Sequence, residues 1–226
     1  SCAEALDMAR VCEGEEAKAW SERASLITPI AKAFSTDIGL EVASLGVQVH
    51  GGMGFIEETG AARLLRDARI APIYEGTNGI QAIDLVMRKL PLSNGETVAA
   101  FIADFKADAE AARASNSPAF EGVADRLDQA IADLETATAY MQSALADGRQ
   151  TDALSGATPY LRLFGLTATT AMLARGALAD MDAPEAAGRA ALARFAAANL
   201  APETKGLAAS ATAGAECLAD ASAALA

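Results

Sequence analysis

Side chains able to do chemistry are sparse in this sequence and concentrate between positions 42 and 81. Glu75 stands between Tyr74 and Gly76, after the apolar run Ile70-Ala71-Pro72-Ile73 and before a helix that Thr77 or Asn78 can cap. Pro72 removes a backbone donor, and Gly76 and Gly79 relax backbone sterics, so the segment reads as a loop of fixed shape. A carboxylate held there among apolar side chains is expected to be desolvated, which raises its pKa toward neutrality and makes it usable as a general base. Gly76 lets a substrate approach the backbone, where a neighbouring N–H can hydrogen-bond a carbonyl that turns enolate-like as a proton is removed. The competing reading is an ordinary loop or capping glutamate, because single carboxylates on loops are common.

The run His50-Gly51-Gly52-Met53-Gly54-Phe55 has the glycine punctuation of a phosphate-cradling loop. It follows a helix rather than a strand, which supports neither a dinucleotide-binding fingerprint nor a Walker loop. Its spacing predicts a helix C-cap and turn, with His50 as a helix-terminal residue whose positive form suits the local dipole. Because His50 is the single histidine, a His-cluster metal site is excluded, and no metal ligand set is expected. Glu15-Glu16 and Glu57-Glu58 are adjacent rather than facing pairs and read as solvated surface. Arg63, Arg66, Asp67 and Arg69 read as helix-surface ion pairing.

The elements that must position these residues are helical. Residues 1 to about 49 carry helical spacing broken once, at Thr28-Pro29, where Pro fits the first turn of a new helix. A short helix follows over Ala61 to Arg69, then the Glu75 loop, then a helix from Ile80 to Leu90. Pro91-Leu92-Ser93-Asn94-Gly95 opens a linker, placed at 91–97, between a first unit at 1–90 and a second at 98–226. Apolar periodicity in the second unit, punctuated by Pro118, Pro159, Pro184 and Pro202, predicts roughly four or five antiparallel helices. The expected fold is therefore all-α: an up-down helical bundle segment followed by a second helical-bundle domain.

Composition bounds the function. Of 226 residues about a quarter are Ala, only 5% are aromatic, and the net charge is -12. A helical, alanine-rich chain of this acidity is not a nucleic-acid binder, since phosphate neutralisation needs clustered Lys and Arg, nor is it suited to anionic lipid. No membrane span is predicted, and three cysteines without a CxxC pair fit reduced thiols, so a cytoplasmic protein is expected. The chain does not begin with Met and its first residues already read as helix, which suggests a fragment.

Three motifs then carry a resemblance: Val47-Gln48-Val49-His50-Gly51-Gly52-Met53-Gly54-Phe55-Ile56-Glu57-Glu58, Leu65-Arg66-Asp67-Ala68-Arg69-Ile70, and Ile73-Tyr74-Glu75-Gly76-Thr77-Asn78-Gly79-Ile80-Gln81. In order and spacing, residues 1–90 resemble the end of the C-terminal helical domain of the acyl-CoA dehydrogenases. Residues beyond the linker resemble, by composition and position, the extra C-terminal helical domain of a long bacterial subgroup that includes 3-(methylthio)propanoyl-CoA dehydrogenases. The resemblance implies an FAD-dependent oxidoreductase that desaturates an acyl-CoA thioester to the trans-2-enoyl-CoA. In that scheme Glu75 removes the α proton, and its backbone N–H holds the thioester carbonyl together with a flavin ribityl hydroxyl. Tyr74 and Gly76 would line the thioester end of the site. Gln48, Gly51 and Gly52 would meet the adenine-diphosphate half of FAD across a subunit interface, and Thr77 and Asn78 the flavin side. It further implies a homodimer or homotetramer that passes electrons to electron-transfer flavoprotein. Gly79 stands where many members carry an acidic or amide residue, so a side-chain contact to FAD is lost there. The domains supplying most flavin contacts would precede Ser1, so this chain alone is expected to be inactive and not to retain FAD. The alternative from another class is a helical interaction or assembly module without flavin chemistry.

Overall fold

A computed structural model describes residues 2–225, and every regular element among them is helical. The first two helices are α1 (Cys2–Val11) and α2 (Gly14–Val49). At 36 residues, α2 runs about 54 Å at 1.5 Å per residue. It continues through Pro29, so the expected break at Thr28-Pro29 does not occur; the chain breaks at Cys12-Glu13 instead. Tertiary burial explains the difference. Proline inside a helix costs about 3 kcal/mol, but Leu26, Ile27 and Ile30 around it are all buried, each worth about 1.5–3 kcal/mol. The Thr28 hydroxyl also donates to the Ala24 carbonyl at 2.7 Å, covering a neighbouring acceptor.

Beyond α2 come a single helical turn, α3 (Gly52–Phe55), the short helix α4 (Ala61–Arg69), the Glu75 loop and α5 (Asn78–Asp84). The helix predicted to reach Leu90 widens after Asp84, where the Leu90 N–H reaches back to the Leu85 carbonyl at 2.9 Å. The expected linker is a tight turn with Ser93 and Asn94 both in the left-handed region, at φ 45° and 53°. It is tied to α2: the hydroxyls of Ser93 and Thr97 donate to the Glu22 carboxylate at 2.7 and 2.6 Å. These bonds hold the Glu22 carboxyl below its ordinary range.

The second part contains α6 (Glu96–Ala114), α7 (Val123–Ala146), α8 (Gln150–Ser155), α9 (Ala157–Leu178), α10 (Ala186–Phe195), α11 (Thr204–Ala211) and α12 (Glu216–Leu225). α9 is the central element, with Leu163, Phe164, Ala171 and Ala174 fully buried. The main core joins both parts: Leu26, Leu85 and Leu90 belong to the same buried cluster as Phe101, Phe105 and Phe164. Alanine fills the closest helix approaches, with Ala137, Ala144, Ala153 and Ala211 at zero exposure, because small side chains let helices approach closely. Tyr160 is wholly buried with its hydroxyl 2.8 Å from that of Thr138, and burial pushes its phenol well above the ordinary value. Arg175 grips the buried Asp108 carboxylate through two bonds of 2.8 and 2.9 Å. Arg23 of α2 pairs with Asp104 of α6 and lies over the Phe101 ring.

Candidate active site

The Glu75 loop begins where α4 runs out. Ile73 and Tyr74 N–H groups both donate to the Ile70 carbonyl, at 3.0 and 3.2 Å, and the Asn78 N–H closes the loop onto the Pro72 carbonyl at 3.0 Å. Between them the chain turns through two consecutive left-handed residues, Glu75 at φ 53° and Gly76 at φ 86°. Glycine accepts that region freely; for Glu75 it costs about 1–2 kcal/mol. Thr77 caps α5 as expected, its hydroxyl accepting from the Ile80 N–H at 3.4 Å.

A set of side chains on α2 holds this turn. Lys32 donates to the Gly76 carbonyl and to Asn78 Oδ1, each at 2.8 Å. Asn78 Nδ2 donates to the Ala33 carbonyl at 3.0 Å, Thr36 Oγ1 at 2.9 Å and Asp37 Oδ1 at 2.7 Å. Gln81 Nε2 reaches the Gly76 carbonyl at 3.4 Å. The sequence reading missed Lys32, Thr36 and Asp37. Their signal is polar residues clustered at helical spacing on a helix whose neighbouring Ile30 and Ala33 are buried.

Glu75 is exposed, as are Ile73 (46%) and Tyr74 (51%). The desolvated carboxylate expected from those apolar neighbours is therefore not produced by this chain: the side chains turn outward and leave the carboxylate in water. The Glu75 N–H has no acceptor among the described residues. Carboxylate, free amide and exposed aromatic thus share one outward-facing turn.

The glycine run lies elsewhere. α2 ends at Val49, and His50 Nδ1 contacts the Gly46 carbonyl at 2.8 Å, the contact of a helix-terminal residue. Gly51 takes φ 59° and is exposed, as are Gln48 and Gly52, with open space where a Cβ on either glycine would stand. Gly54 is buried against the Val47 carbonyl, which an added Cβ would strike. Lys32 and Gln48 lie on one continuous helix, separated by roughly 24 Å at its rise per residue. The structure therefore brings Tyr74, Glu75, Gly76, Thr77 and Asn78 together and sets Gln48, Gly51 and Gly52 apart. Glu57 is exposed, as its reading as surface predicts, and there takes a two-pronged bond from Arg66 at 2.6 and 2.9 Å, which lowers its carboxyl pKa. Among the described residues no cluster of His, Cys, Asp and Glu suits a metal, and no helix is long and apolar enough to cross a membrane.

Comparison with known proteins divides the chain at the same turn that follows Leu90. Residues 7–90 match the model of the acyl-CoA dehydrogenase C-terminal domain, and residues 96–222 that of the acetyl-CoA dehydrogenase C-terminal-like domain. The 3-methylmercaptopropionyl-CoA dehydrogenase of Ruegeria pomeroyi is 44% identical over 166 residues, 73% of this chain and 28% of the relative. A butyryl-CoA dehydrogenase of Syntrophomonas wolfei is 36% identical over 100 residues, 44% of this chain and 16% of that protein. The acyl-CoA dehydrogenase family member 11 of Caenorhabditis elegans is 39% identical over 61 residues, 27% of this chain and 10% of its own. The chain thus spans 28% or less of the length of these relatives. With the match to residues 96–222 alone covering more than half of it, the chain belongs to the acyl-CoA dehydrogenase family.

Proposed function

We propose that Glu75 is the general base in the α,β-desaturation of an acyl-CoA thioester to the trans-2-enoyl-CoA, carried out by an intact protein of which this chain is one part. The observation that carries the reading is the outward-facing turn, in which a carboxylate and an unpartnered amide are presented together on a clamped, left-handed backbone. The Glu75 carboxylate takes the α proton, and its own N–H donates to the thioester oxygen as negative charge gathers there. Tyr74 and Gly76 flank the thioester. Desolvation of the carboxylate comes from what covers the turn in the assembled protein, since this chain leaves it open.

The chemistry that FAD would supply when bound is a two-electron oxidation, as acceptor of the β hydrogen. The residues present fit it in a particular way. Gly51 and Gly52 offer exposed backbone that a ligand can approach, and Thr77 is exposed beside the base. Asn78 holds the turn rather than the cofactor, because both ends of its amide are committed to α2 and its N–H to the Pro72 carbonyl. Gln48, Gly51 and Gly52 lie too far from Thr77 to serve the same end of one cofactor. They fit contact with the adenine-diphosphate half across a subunit interface, in a homodimer or homotetramer. Electron-transfer flavoprotein is the proposed electron acceptor. Cys2, Cys12 and Cys217 are unpaired, which supports a reducing, cytoplasmic setting.

The test is Glu75→Gln in the intact protein. Acyl-CoA binding should persist while turnover falls by about 10²–10⁴-fold, the usual worth of a positioned base. Turnover at the parental rate would remove Glu75 from the mechanism.

A further inference from the structure

The strained turn at Glu75 needs something to hold it, and one side chain is placed to do so. Lys32 Nζ lies 2.8 Å from the Gly76 carbonyl and 2.8 Å from Asn78 Oδ1, so one ammonium spans both sides of Thr77. The Gly76 carbonyl belongs to the peptide immediately after the two left-handed residues, Glu75 at φ 53° and Gly76 at φ 86°, so a bond to it pins the chain where that strained pair leads into α5. Lys32 itself is half-buried and rises from α2 between Ile30 and Ala33, both buried, so its base is fixed by the core.

We infer that Lys32 is a positioning residue for Glu75, fixing the Gly76 peptide so that the carboxylate and the Glu75 N–H face one substrate together. The inference rests on the reading of Glu75 as base. A lysine suits the task because its ammonium carries several donors on a compact head, and two of them point at the two oxygens that define the turn. Loss of that grip leaves Gln81, at 3.4 Å, as the remaining side-chain donor to Gly76.

The experiment isolates proton removal from hydride loss. A 3-thiaacyl-CoA has sulfur at its β position, so no hydride can leave. The reaction stops once the α C–H bond breaks, with the proton on the Glu75 carboxylate and the electron pair in the thioester enolate. Exchange of its α protons with deuterium oxide, followed by NMR on the intact flavoprotein, reads that step alone. Lys32→Met should slow exchange at least about tenfold while binding of the analogue changes less than about threefold, as expected for misplacement of a reacting group. Lys32→Arg, which can donate to both oxygens, should restore exchange to within about threefold of the parent. Glu75→Gln should abolish exchange. If Glu75→Gln abolishes exchange and Lys32→Met leaves it within about twofold, the positioning role is overturned and the base assignment stands. If Glu75→Gln exchanges at the parental rate, the base assignment itself falls, and the positioning role with it. Should Lys32→Met not fold, Lys32→Gln, one bond shorter but still carrying an NH2 donor, is expected to show a smaller loss. Failure of Lys32→Gln to fold, or equal loss in the Met, Gln and Arg variants with equally lowered melting temperatures, marks a merely structural lysine and overturns the inference.

Discussion

Glu75 is held in its left-handed conformation by the bonds that Lys32 makes to Gly76 and Asn78, and Gly54 is held by close packing alone. A Cβ on Gly54 would strike the Val47 carbonyl in the last turn of α2. Overpacking against backbone costs about 1–3 kcal/mol. Gly54→Ala should therefore lower the melting temperature by roughly 2–12 °C in thermal unfolding, given about 2–4 °C per kcal/mol for a chain of this size. An unchanged melting temperature would mean that the last turn of α2 shifts to admit the methyl group. The glycines of the run were legible as punctuation, yet their division into exposed Gly51 and Gly52 and buried Gly54 was not, because it depends on where α2 ends in space. Thr77 was legible as a cap because its partner is three residues away. Lys32 was not, since its partners lie 44 and 46 positions downstream.

At the scale of elements, local signals sufficed where an element is short and bounded by its own residues. α4 spans Ala61–Arg69 as its spacing predicts, and the Glu75 segment is a fixed loop. They failed at Pro29, where burial against later helices carries the helix through a residue that in isolation would end it. The turn after Leu90 shows a similar dependence. Its composition marks a linker, but Glu22, far upstream on α2, fastens it through the Ser93 and Thr97 hydroxyls. Those donors favour the ionised carboxylate, so the folded state holds the Glu22 proton less readily than the unfolded chain does at its ordinary value of 4.5. The stabilisation is therefore fully present above that value and is lost as pH falls through the lower folded value. Urea midpoints measured between about pH 6 and 3 should fall less steeply for Glu22→Gln than for the parent. Parallel pH profiles would show that the Glu22 contacts add nothing to the stability of the junction.

For the whole molecule, the two family matches end and begin on either side of residues 91–95, while the hydrophobic core runs straight across them. Periodicity could assign faces to helices one at a time, but it could not pair the face carrying Leu26 and Ile30 with one carrying Phe101, Phe105 and Phe164. That pairing decides what the extension does. Leu26, Ile27, Ile30, Leu85, Val86 and Leu90 are buried in the structure, and each fully buried aliphatic side chain contributes about 1.5–3 kcal/mol. Uncovering even part of that group removes an amount comparable to the whole stability of an ordinary domain, about 5–15 kcal/mol. Side chains of α6 and α9 therefore cover this face of α2 and α5. Truncating the intact protein after Leu90 should lower its melting temperature by more than about 10 °C, and with it the fraction that sediments at the native oligomer mass. A truncated protein with parental melting temperature, mass and activity would instead make the extension an independent module, joined by a linker that the shared core merely happens to bridge.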